Sequence, residues 1–198
     1  MKSRIEKKLE IEENDYISIL FWLKEQNAKL LFPSRYINSI YYDNFNLQMF
    51  YETLEGFVPR KKIRIRTYNS KDFYSSKGPY NLEVKLTTFD KRYKSIKNNI
   101  NFKKIEKSGI FDIKYGYCQP KVEISYIREY FLIKGFRVTI DKSIKYKSLI
   151  DEKIYLDKSI VLEIKTDINT NDLELIKEIP FPQNRFSKYE RAINYLLN

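Results

Sequence analysis

Apolar and charged side chains alternate in six short stretches of this chain. They are Glu6-Lys7-Lys8 (the least regular), Lys62-Ile63-Arg64-Ile65-Arg66, Glu83-Val84-Lys85, Tyr126-Ile127-Arg128, Phe136-Arg137-Val138 and Glu163-Ile164-Lys165. A period of two belongs to extended strands, whose successive side chains point to opposite faces. Each stretch therefore has one greasy face and one charged face. The wider pattern supplies the other elements. Arg4 to Glu12 reads as a first strand, and Asn14-Asp15 offers an N-cap to a helix over Tyr16 to Gln26. After Pro33, the aromatic and β-branched run Tyr36 to Tyr42 predicts a strand. Asn44 is placed to cap a short helix over Leu47 to Leu54, which Gly56 and Pro59 stop. Strands follow at Lys61 to Tyr68, Tyr80 to Thr87 and Lys91 to Ile96, then a helix in the polar connection Asn98 to Lys107. Lys121 to Ile133 and Phe136 to Asp141 form a hairpin turning at Lys134-Gly135. Ile144 to Tyr146 and Ser159 to Thr166 are further strands. Asp172 to Ile179 reads as helical, Pro180 and Pro182 interrupt, and Ser187 to Leu197 is a terminal amphipathic helix. About eight strands without β-α-β alternation predict the α+β class, as an antiparallel closed barrel with flanking helices. No boundary interrupts the pattern, so a single domain over residues 1–198 is expected.

Composition narrows the chemistry. With 42% hydrophobic and 16% aromatic residues, the 198-residue chain can build a core. It has no histidine, which removes Ser-His-Asp and Cys-His catalysis, the common zinc sites and any imidazole base. The single cysteine, Cys118, excludes an intramolecular disulfide. Met1 to Glu13 is too charged for a secretory leader, and the apolar run Ile17 to Leu23 is too short to span a bilayer. A cytoplasmic protein is expected. Lys and Arg outnumber Asp and Glu by 37 to 26, a formal +11 that favours anionic partners. The abundance of Lys, Ile, Asn and Tyr in an AT-rich genome would account for that total. It would not account for the alternation.

The alternation has two readings. In one, each strand shows a solvated face of an open sheet. In the other, the sheet closes with its cations inward. Inside a narrow barrel, Lys8, Arg64, Arg66, Lys85, Arg128, Arg137 and Lys165 would need counter-charge, because a lone buried ion is costly even after relaxation. Glu6, Glu83 and Glu163 are too few to supply it. A phosphate chain would complete the neutralisation through charge-assisted hydrogen bonds, and the carboxylates would hold a hard divalent cation. Phosphoryl transfer depends on positioning and charge neutralisation more than on a protein base, so the missing histidine is no obstacle.

The stretches above, with Asn38-Ser39-Ile40-Tyr41-Tyr42-Asp43, Tyr126-Ile127-Arg128-Glu129-Tyr130, Arg137-Val138-Thr139-Ile140-Asp141 and Arg185-Phe186-Ser187-Lys188-Tyr189, resemble the VTC domain in order and over nearly the whole chain. That domain is the catalytic unit of the vacuolar transporter chaperone polyphosphate polymerase and its bacterial relatives, within the triphosphate tunnel metalloenzymes. The resemblance implies that Lys8, Arg64, Arg66, Lys85, Arg128 and Arg137 line a basic bore, with Lys94 a further lining residue. It implies that Glu163 ligates manganese or magnesium, and that Arg185, Ser187 and Lys188 bind phosphate at the start of the last helix. Alone, those three residues read more simply as a capped surface helix, with Ser187 as its N-cap. Glu163 reads equally as the partner of an arginine.

The hydrolytic branch of that superfamily begins Glu-x-Glu-x-Lys, whereas this chain has Arg4-x-Glu6-x-Lys8. The resemblance thus implies a metal-dependent polymerase that passes the γ-phosphoryl group of ATP to a growing polyphosphate chain. A separate membrane subunit would be needed for any export. Two alternatives stand beside it. One is a tunnel phosphohydrolase acting on inorganic or nucleoside triphosphate. The other is a non-catalytic module binding polyphosphate or, less favoured, nucleic acid, for which 17 tyrosines would offer stacking surfaces. Removing Arg64 and Arg66 together is expected to leave the fold intact by relieving like-charge crowding.

Overall fold

In the computed structural model, residues 4–167, 181 and 186–197 are described, with side chains for 6–165, 181 and 186–197. The order is β1 (Arg4–Ile11), α1 (Tyr16–Glu25), β2 (Lys29–Asp43), α2 (Gln48–Leu54), β3 (Arg60–Tyr68), β4 (Asn81–Thr87), β5 (Arg92–Lys97) and α3 (Phe102–Ser108). It continues through β6 (Ile110–Asp112), β7 (Gly116–Ile133), β8 (Phe136–Ser148), β9 (Ile154–Asp157), β10 (Ile160–Asp167) and a last helix, α4 (Lys188–Leu196). Hydrogen bonds order the sheet β1-β10-β8-β7-β2-β3-β4-β5, with β6 beside β7 and β9 beside β8. The strand pairs with defined registers are all antiparallel, which gives the α+β class expected from the sequence. The expected helix over 172–179, the interruption at Pro180 and Pro182, and Arg185 lie outside the described residues.

The chain divides into two compact units. The first comprises residues 1–35, 126–144 and 157–186. Its core is the apolar face of β1, β10 and β8 (Leu9, Ile11, Val138, Ile140, Leu162, Ile164) covered by Ile19, Trp22 and Leu23 of α1. The second comprises 36–125, 145–156 and 187–198. There Ile40, Tyr42, Ile63 and Ile65 are buried on one face of β2 and β3. Residues opposite one another across an antiparallel pair share a face. The pairs Ile40↔Ile65 and Tyr42↔Ile63 therefore set the apolar face, and Ser39↔Arg66 and Tyr41↔Arg64 the polar one.

The expected hairpin turns at Lys134-Gly135, with φ of 48° and 87°. Two successive positive φ values make the turn that suits the twist of paired strands. Three local expectations need correction. β2 starts at Lys29, not Tyr36, and runs through Pro33. Its first eight residues are mostly exposed, so the missing N–H there interrupts no buried ladder. Asp15 precedes α1 but makes no side-chain cap bond, because a 3-10 turn at Glu13–Asp15 holds its backbone at φ −89°, ψ 6°, away from the extended capping conformation. At α2, Asn44 Oδ1 does accept the Gln48 N–H (3.0 Å), but Asp43 takes the next two donors, Met49 N (3.1 Å) and Phe50 N (3.0 Å). The short strands β6 and β9 had no alternating signal of their own.

Candidate functional site

In the second unit, the pairing Arg64↔Glu83, Lys62↔Lys85 and Lys85↔Lys94 puts five cationic residues of β3, β4 and β5 on the face that also carries Ser39 and Tyr41. This face is sheltered. Arg66 is 6% exposed and Glu83 3%, while Ile63 and Ile65 on the reverse side are equally buried. β3 is therefore enclosed on both faces, which rules out the solvated-sheet reading for its Arg-x-Arg stretch.

Glu83 is the hub of this group. Its Oε2 accepts from Arg64 Nε (2.8 Å) and Nη2 (2.5 Å), and its Oε1 from Lys94 Nζ (2.9 Å). Arg66 Nη1 lies 3.9 Å from Oε2, and its Nε donates to Ser39 Oγ at 2.9 Å. Burial alone would raise the Glu83 pKa, yet Arg64, Arg66 and Lys94 outweigh it and bring it down to about 2. Arg64 Nη1 also donates to Tyr41 OH (2.7 Å), and its guanidinium sits 5.6 Å over the Tyr41 ring. The same contest lowers the Tyr41 pKa: desolvation opposes ionisation, and Arg64, Arg66 and Lys188 prevail.

The start of α4 joins this face. Ser187 caps α4, accepting the Glu190 N–H, and also accepts from Lys62 Nζ at 2.8 Å. The Tyr189 ring stacks on Tyr41 at 5.1 Å and 11°, while its hydroxyl donates to the fully buried Asp43 at 2.5 Å. Desolvation raises the Asp43 pKa against the pull of those hydrogen bonds. Asp43 thus ties the N-terminus of α2 to α4 and fixes where Ser187 and Lys188 stand. Six cations (Lys62, Arg64, Arg66, Lys85, Lys94, Lys188) accompany one hub carboxylate here. Lys62 and Tyr41 were not singled out as site residues from the sequence, although Lys62 shares the parity of Arg64.

The first unit carries a more balanced group. Lys8↔Glu163, Glu6↔Lys165 and Lys165↔Arg137 face one another across β1, β10 and β8. Arg128 of β7 forms a two-pronged bond to Asp141 (Nε–Oδ1 2.5 Å, Nη2–Oδ2 2.7 Å) and reaches Glu163 Oε2 at 3.4 Å. Lys165 Nζ lies 2.7 Å from Glu163 Oε1, and Lys8 Nζ 3.5 Å from Glu6. Desolvation works against the Glu163 carboxylate, but Lys8, Arg128 and Lys165 hold its pKa well below the ordinary range. Arg137 shares this strand face by register, yet its side chain is exposed. Asp141, which neutralises Arg128, went unrecognised. A two-residue turn at Lys134-Gly135 sets 133 opposite 136 and hence 128 opposite 141, so the signal was present.

Sheltered, cation-rich strand faces on an antiparallel α+β scaffold suit the triphosphate tunnel class that the sequence resembles. Residues 3–197 match the model that defines the VTC domain, and the chain belongs to that family. Its fold is similar to that of two proteins each described as a "putative adenylate cyclase". One, from Bacillus halodurans, has a TM-score of 0.63 and 11% identity, over 100% of this chain and 98% of that one. The other, from Vibrio parahaemolyticus, has a TM-score of 0.57 and 14% identity, over 98% of each chain. At such identities the likeness shows the fold alone. No curated protein matches the sequence. Among the described residues, no helix is long and apolar enough to cross a membrane.

Proposed function

We propose that this protein is a metal-dependent polyphosphate polymerase, moving the γ-phosphoryl group of ATP onto the end of a growing polyphosphate chain. The observation that carries this reading is the set of six cations around Glu83 and the start of α4. A site so rich in positive charge, with a single hub carboxylate, suits a polyanion rather than a single phosphate. Arg64 and Lys94 already have an internal counter-ion, so they are held in place before substrate arrives. Their remaining N–H groups, with Arg66, Lys62, Lys85 and Lys188, would grip successive phosphate oxygens and stabilise charge on the transferring group. Arg185 would add to this grip.

The group in the first unit has a different composition and fits a different task. Glu163 Oε1 is buried and accepts no aligned hydrogen bond, and Glu6 stands on the neighbouring strand. Among the described residues no group of three or more acidic, Cys or His side chains is placed to hold a metal ion. Magnesium or manganese suits such a sparse donor set, since each keeps waters and is bound through one or two carboxylates plus substrate phosphates. Glu163 and Glu6 would hold the ion, which when bound neutralises charge on bridging phosphate oxygens. Glu83 is the poorer fit: both its oxygens accept short, aligned hydrogen bonds from Arg64 and Lys94, whereas Glu163 Oε1 accepts none, although Lys165 stands beside it. Arg128, Lys8 and Lys165 would orient the phosphates beside Glu163. The site would act in the cytoplasm, with a separate membrane subunit for any export.

Incubation of the purified protein with ATP and Mn2+ tests the proposal. Polyphosphate and ADP should accumulate together and stop on chelation. Orthophosphate release without chain growth would establish the hydrolase instead, and triphosphate binding without turnover a binding module.

A further inference from the structure

The reverse face of the β2–β3 sheet holds a cavity of about 370 Å3, lined by Ile40, Tyr42, Tyr74, Phe102, Glu106 and Lys147, with Ser148, Glu152 and neighbouring apolar residues. It lies away from the phosphate-handling face. Ile40 and Tyr42 have the parity opposite to Ser39 and Tyr41, so the pocket and the Arg64–Glu83 group are separated by the sheet itself. Its volume falls at the small end of ligand pockets, about 300–1,000 Å3.

Three properties distinguish its lining. The walls are aromatic: Tyr42, Tyr74 and Phe102 contribute rings, with Phe102 packed edge-on against Phe73 and stacked on Tyr80. The charge is reversed, since a chain of net +11 here presents two carboxylates, Glu106 and Glu152, against one ammonium, Lys147. The third is an orphan. Tyr42 is 1% exposed, and its hydroxyl has no hydrogen-bond partner. Burial first, and then Tyr74 and Glu106, which line the cavity with Tyr42, push the pKa of that hydroxyl up. Leaving such a hydroxyl unpaired in the interior is unfavourable, and a ligand that satisfies it would remove the penalty. The local field is negative as well: burial first, and then Glu106, Glu123 and Asp72, push the Tyr74 hydroxyl pKa up.

We infer that this cavity is a binding site for a small organic amine, whose ammonium donates to the Tyr42 hydroxyl oxygen and Glu106 while its apolar body lies against Tyr74, Phe102 and Ile40. Aromatic faces attract cations, and carboxylates accept from an ammonium, so the rings and both carboxylates favour the same charge, with Lys147 alone opposing it. The inference is independent of the activity assigned to the other face.

Titration calorimetry at fixed ionic strength tests it, with phenethylammonium chloride as ligand and sodium phenylacetate as its anionic counterpart of similar shape. Phenethylammonium should saturate a single site, and phenylacetate should not bind. Glu106→Gln and Glu152→Gln should each weaken the amine about fivefold, the scale of a partly exposed ion pair. Tyr42→Phe, which deletes only the unpaired hydroxyl, should weaken phenethylammonium but leave tetramethylammonium, which has no N–H to donate, unchanged. Triphosphate binding measured on the same variants reports the opposite face and should not move. No saturable amine binding to the parent protein, equal binding of phenylacetate, or an amine affinity indifferent to all three substitutions would each overturn the inference.

Discussion

Replacing Glu83 by Gln keeps the shape of the hub and removes its charge, leaving Arg64, Arg66 and Lys94 without their internal counter-ion. The pKa of Glu83 gives the size of the effect. It falls from an ordinary 4.5 to about 2 in the folded protein, and one pKa unit corresponds to about 1.4 kcal/mol. Ionised Glu83 therefore stabilises the fold by about 3 kcal/mol, within the range for breaking a buried ion pair from one side. Because the folded pKa is depressed, this stabilisation is complete above pH 4.5 and is lost as pH falls toward 2. The expected gap between parent and Glu83→Gln is thus about 3 kcal/mol at pH 7, narrowing to about 1.4 kcal/mol at pH 3. Urea unfolding at both pH values, followed by tyrosine and tryptophan fluorescence, measures it. An added polyanion should also substitute for the missing carboxylate, so that tripolyphosphate raises the melting temperature of Glu83→Gln more than that of the parent. A gap below about 1 kcal/mol at pH 7, or one that does not shrink in acid, would refute the assignment of Glu83 as the structural counter-ion.

The double substitution Arg64→Ala with Arg66→Ala attacks the same hub from the other side. It should cost about 3–5 kcal/mol, because Glu83 keeps only Lys94, rather than leaving the fold untouched as like-charge crowding alone suggests; urea unfolding distinguishes the two outcomes. ADP release from ATP should fall at least about a hundredfold in that variant. Asp43→Ala deprives Asn44 N, Met49 N, Phe50 N and Tyr189 OH of a buried acceptor, at an expected cost of about 2–4 kcal/mol. A variant melting within about 2 °C of the parent in circular dichroism would contradict the tie between α2 and α4.

Parity carries much of this site, and parity is visible in a sequence. Arg64 and Arg66 had to share a face once Ile63 and Ile65 were assigned to a core, and Lys62 shares it for the same reason. The hairpin at Lys134-Gly135 was legible because two residues willing to take positive φ separate two β-rich runs. Register between strands distant in the chain was not legible. Nothing local says that Arg64 pairs with Glu83 rather than with a neighbour two residues along, nor that Lys94 reaches Glu83 diagonally. The ion pairs that Glu83 makes with Arg64 and Lys94 depend on that register. The Asp43–Tyr189 bond spans 146 residues and the Lys62–Ser187 bond 125. Both depend on a terminal helix whose own pattern announces only an amphipathic element.

The same parity explains how one thin sheet handles two opposite charges. Residues 39, 41, 64, 66 and 83 point one way and gather cations around a carboxylate. Residues 40 and 42 point the other way, into a cavity bordered by Glu106 and Glu152. Slipping β2 by one residue against β3 would send Tyr42 among the arginines and Tyr41 into the apolar layer, so neither face could form. The buried pairs Ile40↔Ile65 and Tyr42↔Ile63 prevent that slip. The apolar packing of β2 on β3 is thus what fixes the charge of both faces, and substitutions at Ile63 or Ile65 should disturb phosphate binding without touching a cation.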